Sequence, residues 1–249
     1  MDFSGLSIIF FTSIIGGFFG TLVGGTSLIT IPALIFLGLP PHTAIGTDRL
    51  GIAGLTTVGW YKFHQKGLIH YPISLGMGVA AVIGSFLGAN LVLQISMGLL
   101  RKIIAIATIA MLITVMAQPR LGLERRNRVI RGRTYGVGIF ISFLIGIYGG
   151  FYGALSGTFL LYVILFIFGR TFLESAATQK LASLMMTTMA AVVFAGKGAI
   201  DYPMAGAMFL GCAVGSYVGA HYSDRIGNVW IKRLFIFIVL IMVGKLLIP

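Results

Sequence analysis

The sequence predicts an all-α integral membrane protein made of two homologous helical repeats, each opening with a broken or re-entrant helix followed by three transmembrane helices. Three observations carry this. Hydrophobic residues make up 57% of the 249 residues and charged residues only 10%, with a mean hydropathy of +1.00, far outside the range of soluble domains. The apolar runs are long and lack the period-two alternation of a membrane β-barrel, which leaves helices as the spanning element. Setting residue n against n+131 from Thr47 to Ile106, without a gap, gives 16 identities in 60 positions.

The shared residues are not those that apolar composition alone would bring into register. Lys66-Gly67-Leu68-Ile69-His70-Tyr71-Pro72 aligns with Lys197-Gly198-Ala199-Ile200-Asp201-Tyr202-Pro203, Gly84-Ser85-Phe86-Leu87-Gly88-Ala89 with Gly215-Ser216-Tyr217-Val218-Gly219-Ala220, and Thr56-Thr57 with Thr187-Thr188. A two-residue change of offset adds Gly16-Gly17-Phe18-Phe19-Gly20 against Gly149-Gly150-Phe151-Tyr152-Gly153. Tandem duplication of this kind is common among secondary transporters, whose sites lie where the repeats meet. The division expected is a first repeat over 1–117, a linker over 118–134 and a second repeat over 135–249.

Taken in order, the opening runs Gly5 to Gly38 and Tyr135 to Gly169 are each about 34 residues, well beyond the roughly 20 that one crossing needs. Both break midway, at Gly24-Gly25-Thr26-Ser27 and Ser156-Gly157-Thr158. One long tilted helix or a hairpin of two half-helices would fit each run. The crossings that follow are Ala44 to Tyr61, Ile73 to Leu93 and Leu99 to Ala117, then Ala177 to Ala195, Met204 to Tyr222 and Leu234 to Ile248. If each opening run were a single crossing, Arg101, Lys102, Arg170, Lys180, Arg225, Lys232 and Arg233 would all fall outside, against the positive-inside rule. Re-entrant openings invert the second repeat and move five of these seven cations to the cytoplasm, so the inverted arrangement is expected.

Net charge +12 does not make this a nucleic-acid binder. Six arginines (Arg120, Arg125, Arg126, Arg128, Arg131, Arg133) crowd the linker, which is therefore placed in the cytoplasm against anionic lipid headgroups. No cleavable signal is expected at the start, because no Lys or Arg precedes the first run and no small-residue cleavage signature follows it. The single cysteine, Cys212, is expected to pack between helices. Glycines spaced four apart (Gly16 and Gly20, Gly84 and Gly88, Gly149 and Gly153, Gly215 and Gly219) are expected chiefly to let helices approach closely. His42, His64, His70, Lys62 and Lys66 fall in loops or at helix ends, where surface roles are expected.

Arg49 and Lys180 occupy equivalent positions, in Thr47-Asp48-Arg49-Leu50 and Thr178-Gln179-Lys180-Leu181, each about one turn into a helix. Two cations related by the duplication, near helix N-termini whose dipoles attract anions, form a candidate anion site. The competing reading is that both snorkel to the membrane surface. Hydroxyls of Thr47, Thr178, Thr26, Ser27, Ser156 and Thr158 and the backbone N–H groups of Gly24, Gly25 and Gly157 complete the candidate site. Asp48 and Gln179 are its charge or coupling partners. No pair of acids or metal-ligand cluster falls within a helix, so neither an enzyme nor a metal or other cofactor is expected.

These residues also carry a resemblance. Gly16 to Leu34 and Leu37 to Thr47, together with Gly149-Gly150-Phe151-Tyr152-Gly153 and Ala176-Ala177-Thr178-Gln179-Lys180-Leu181, resemble the TauE/SafE family of sulfite and organosulfonate permeases over nearly the whole chain. The chain departs from the family pattern at Thr26 and at Ala154 to Thr158, where glycine runs are interrupted. The resemblance implies a multi-pass protein of the bacterial inner membrane that carries a small sulfur-containing anion (sulfite, an organosulfonate or thiosulfate). A homodimer is among the expected assemblies. Moving one charge through 100 mV is worth about 2.3 kcal/mol, so a dianion leaving the cytoplasm needs no coupling ion, and export by alternating access is the expected activity. An anion channel and a non-transporting scaffold acting through the arginine-rich linker are the alternatives.

Overall fold

A computed structural model describes residues 3–91 and 132–247, and every regular element among them is helical. In chain order these are α1 (Phe3–Leu22), α2 (Ser27–Phe36), α3 (Pro41–Gln65), α4 (Tyr71–Leu91), α5 (Gly132–Phe151), α6 (Ser156–Ile167), α7 (Phe172–Gly196) and α8 (Tyr202–Leu247). The last is interrupted at Gly227, whose backbone leaves helical geometry (φ 66°, ψ 166°). Five segments are long and apolar enough to cross a bilayer: α1, α4, α5, α7 and α8 as far as Gly227. Helix α3 matches α7 in length but carries Asp48, Arg49 and Lys62. The protein is thus an all-helical, multi-pass membrane protein. The arginine-rich linker and the crossing expected over 99–117 lie outside the described residues, except for residues 132–134, which open α5.

Each opening run is a hairpin rather than one tilted helix. Helix α2 doubles back along α1, so that Thr26 and Thr30 lie against Gly16 and Leu37 reaches Gly5. Helix α6 returns along α5 in the same way, with Ser156 against Gly149 and Phe168 against Gly138. The reversals need backbone that ordinary side chains avoid. Gly24 and Gly25 sit at φ +91° and +83° and Gly153 at +67°, and Leu155 adopts φ 72° without being glycine. Two helices start on a sequence signal. Pro41 opens α3, and Thr171 with Glu174 forms a capping box on α7.

The duplicated residues account for how the repeats interlock. Thr178 Oγ1 accepts from His70 N (3.1 Å), and its counterpart Thr47 Oγ1 accepts from Asp201 N (2.9 Å). Ser85 donates to Met186 O (2.9 Å) and Ser216 to Leu55 O (2.8 Å). Lys197 Nζ caps the end of α4 at Ala89 O (3.0 Å), while Lys66 Nζ bonds to α8 at His221 O (3.0 Å) and pairs with Asp224. Every bond in these three pairs runs from one repeat to the other. Four of the four-spaced glycines, Gly84, Gly88, Gly215 and Gly219, follow the same rule: an added β-carbon would lie 2.8 Å from Ile147 N at Gly84 and 2.8 Å from Phe18 N at Gly215. Helix α4 therefore packs on α5, and α8 on α1, at near-backbone contact. Between them α3 and α7 cross in opposite senses, with Gly46 against Phe194 and Gly59 against the stem of Lys180.

Candidate functional site

The two hairpin tips meet at the centre of the bundle. Thr158 Oγ1 donates to Val23 O across the repeats (3.0 Å), which brings the N-termini of α2 and α6 close together. A helix N-terminus leaves N–H groups unpaired and carries the positive end of its dipole, so both short helices aim positive potential at one place. A partly open space of about 40 Å³ lies there, between the tips and the facing sides of α3 and α7.

Arg49 and Lys180 both line this space, and each is only 1% exposed. Neither snorkels to the surface. Their positions on their helices also differ from expectation: each is the ninth residue of its helix, counted from Pro41 and Phe172. Two turns in, the dipoles of α3 and α7 contribute little, and the relevant helix N-termini are those of α2 and α6. Each cation reaches across to the broken helix of the other repeat. Lys180 Nζ donates to Gly20 O (2.8 Å), in the last turn of α1, where a positive charge is favoured. The Arg49 guanidinium lies against Gly153, past the end of α5, where a β-carbon would collide with it.

Asp48 is fully buried behind Arg49. Its carboxylate accepts from Ser27 Oγ (2.8 Å), Thr30 Oγ1 (2.5 Å) and Arg49 Nη2 (2.5 Å), and Arg49 Nη2 also donates to Ser27 Oγ (2.8 Å). This network fixes the guanidinium without using it up, for Arg49 Nε is buried and unpartnered among the described residues. Two cations and one carboxylate leave a formal charge of +1. At the equivalent place in the second repeat, Gln179 Oε1 accepts from Ser183 Oγ (2.5 Å).

Of the residues expected from sequence, Gly24, Gly25, Thr26, Ser27, Arg49, Ser156, Gly157, Gln179 and Lys180 line the space. Thr47, Thr178 and Thr158 do not, and their hydroxyls are engaged in the cross-repeat bonds described above. Asp48 stands one layer behind. Sequence reasoning missed Ile52, Leu55, Thr56, Ser183 and Thr187, which line it together with Gly20, Gly153 and Leu155. The signal was available. Ile52 and Thr56 follow Arg49, and Ser183 and Thr187 follow Lys180, by three and seven residues, the spacing of one helical face. Among the described residues, no group of acidic, histidine or cysteine side chains is placed to hold a metal.

A multi-pass helical bundle with buried cations from two duplicated halves, facing one polar space where helices break, has the architecture of a membrane transporter. The chain belongs to the TauE/SafE sulfite exporter family, whose pattern matches residues 9–246. It is similar to the probable membrane transporter protein YfcA of Escherichia coli (strain K12), with 26% identity over 245 residues, 97% of this chain and 89% of that protein. A probable membrane transporter protein of Haemophilus influenzae is 25% identical over 241 residues, covering 97% of this chain and 94% of its own length. The probable membrane transporter protein YdhB of Bacillus subtilis (strain 168) is 26% identical over 228 residues, 90% of this chain and 91% of its own. No solved structure matches. The chain is therefore a membrane transporter.

Proposed function

We propose that this transporter carries a small oxyanion of sulfur out of the cytoplasm by alternating access. The observation that supports this most is the convergence of Arg49 and Lys180, from equivalent positions in the two repeats, on one polar space beneath the N-termini of α2 and α6. Buried cations inside a bilayer are costly and persist where a pathway needs them. The net charge of +1, the unpartnered Arg49 Nε and the hydroxyl of Thr187 suit an anion with several acceptor oxygens. The family is described by sulfite export, and sulfite is an anion of this kind.

In this reading the repeats are inverted, which the opposite courses of α3 and α7 support, and they rock about the site to open it to each side in turn. The membrane potential, negative inside, drives the anion outward. The test is flux of labelled sulfite, thiosulfate and a small sulfonate through proteoliposomes under an imposed potential of either sign, with chloride as control. Selective, saturable flux that follows the potential supports the proposal. Flux that ignores the potential and requires a proton or sodium gradient refutes its driving force. No flux of any sulfur anion through folded protein refutes its substrate.

A further inference from the structure

The duplication makes the two walls of the cavity comparable residue by residue, and they are not alike. Three residues beyond Lys180, α7 presents Ser183. Three residues beyond Arg49, α3 presents Ile52, with Leu55 beside it. Ser183 donates to Gln179 Oε1, which holds the amide so that Gln179 Nε2 is left as a donor with no protein partner among the described residues. The first-repeat counterpart of Gln179 is Asp48, whose carboxylate is turned away to Ser27 and Thr30. One wall therefore supplies an ammonium and an amide N–H, and below the guanidinium the facing wall presents Ile52, Leu55 and Thr56, whose hydroxyl is already donated to backbone carbonyls of its own helix.

We infer that the cavity selects one-sided sulfur anions, in which three oxygens share a sulfur whose fourth position is not oxygen, and rejects tetrahedral sulfate; this rests on the reading of the cavity as a sulfur-anion site. The three oxygens face Lys180, Gln179 and Arg49, and the fourth position faces Ile52 and Leu55. Sulfur, a methyl group or a lone pair loses nothing there. A fourth oxygen meets no free donor on that wall and keeps the cost of its lost hydration. Ser183 is a positioning residue that acts through Gln179, and Ile52 sets the discrimination.

Thiosulfate and sulfate form a matched pair of probes, since both are tetrahedral dianions that differ by one sulfur in place of one oxygen. In proteoliposomes under an outward-driving potential, wild-type protein is expected to carry thiosulfate with a kcat/KM at least about tenfold above that for sulfate. Ile52→Ser, which copies the second repeat's residue into the first, is expected to narrow that ratio several-fold. Ser183→Ala is expected to raise KM for thiosulfate with little change in kcat, and Ser183→Thr to restore it. Comparable rates for thiosulfate and sulfate with wild-type protein overturn the inference while leaving a sulfur-anion transporter in place. So does an unchanged ratio in folded Ile52→Ser. Failure of wild-type protein to move sulfite, thiosulfate or methanesulfonate overturns the substrate reading itself. The wild-type comparison needs no variant, so a misfolded substitution does not shelter the inference.

Discussion

Replacing Lys180 by methionine separates a binding role from a structural one, because the two roles predict opposite outcomes. The ammonium makes one hydrogen bond, to Gly20 O at 2.8 Å, and that carbonyl also accepts from Gly24 N at 3.1 Å, so it is not orphaned by the change. The fold should therefore lose no more than about 1–2 kcal/mol, part of it offset by removing a buried charge. Anion binding should suffer much more. A unit charge about 5 Å from a monoanion, at an effective dielectric of about 20, is worth about 3 kcal/mol. That corresponds to a loss of affinity on the order of a hundredfold. Removing Lys180 also takes the formal charge of the cavity from +1 to zero. The assay is concentration-dependent sulfite flux in proteoliposomes, paired with thermal unfolding of the same preparation in detergent. Unchanged KM and kcat in Lys180→Met would refute the assignment. So would a collapse of stability that accounts for the lost flux.

Two further substitutions probe the network behind the site. Arg49→Gln leaves Asp48 buried with only Ser27 and Thr30 as partners and should destabilise the protein by about 3–5 kcal/mol, whereas Asp48→Asn combined with Arg49→Gln should recover most of it, read as unfolding midpoints in detergent. Gly24→Ala meets both a φ of +91° and a β-carbon 2.8 Å from Thr158 N, while Gly38→Ala meets a φ of +95° in open space. Gly38→Ala should cost about 1–2 kcal/mol and Gly24→Ala clearly more, and equal losses would show that the contact between the hairpin tips contributes nothing.

Much of this molecule is legible in its residue order. Long apolar runs have one way to satisfy their backbone in lipid, which fixes the class as helical and membrane-spanning. The break at Gly24-Gly25 is legible because positive φ at consecutive positions is a demand that glycine meets. Arg49 and Lys180 stand out since charge within an apolar run is rare and the duplication places them together. The break near Leu155 is harder to read, for a leucine there takes the left-handed conformation that glycine takes in the first repeat.

The threonines show where sequence reasoning runs out. Thr47 and Thr178 flank the two cations in the chain and are identical in both repeats, yet on a helix adjacent residues face different directions. They point to the other repeat, where each accepts a backbone N–H, and the cavity is lined instead by residues three and seven positions past each cation. Identity between the repeats marked both kinds of position, Thr47 and Thr178 for interlocking, Thr56 and Thr187 for lining. Only their placement in space distinguishes them.

The sequence by itself determined the solvent this protein lives in, its duplication, the points where helices break and the two equivalent cations, though not that they are buried. Those follow from local rules: hydropathy, backbone conformation and the cost of charge in lipid. Tertiary structure decided that each repeat closes on the other, that Lys180 bonds to the hairpin of the first repeat while Arg49 bonds to Ser27 of its own hairpin and lies against Gly153 of the second, and that Asp48 stands behind the site. Those depend on which surfaces meet, and contacts between residues more than a hundred positions apart leave no mark in the order of either partner.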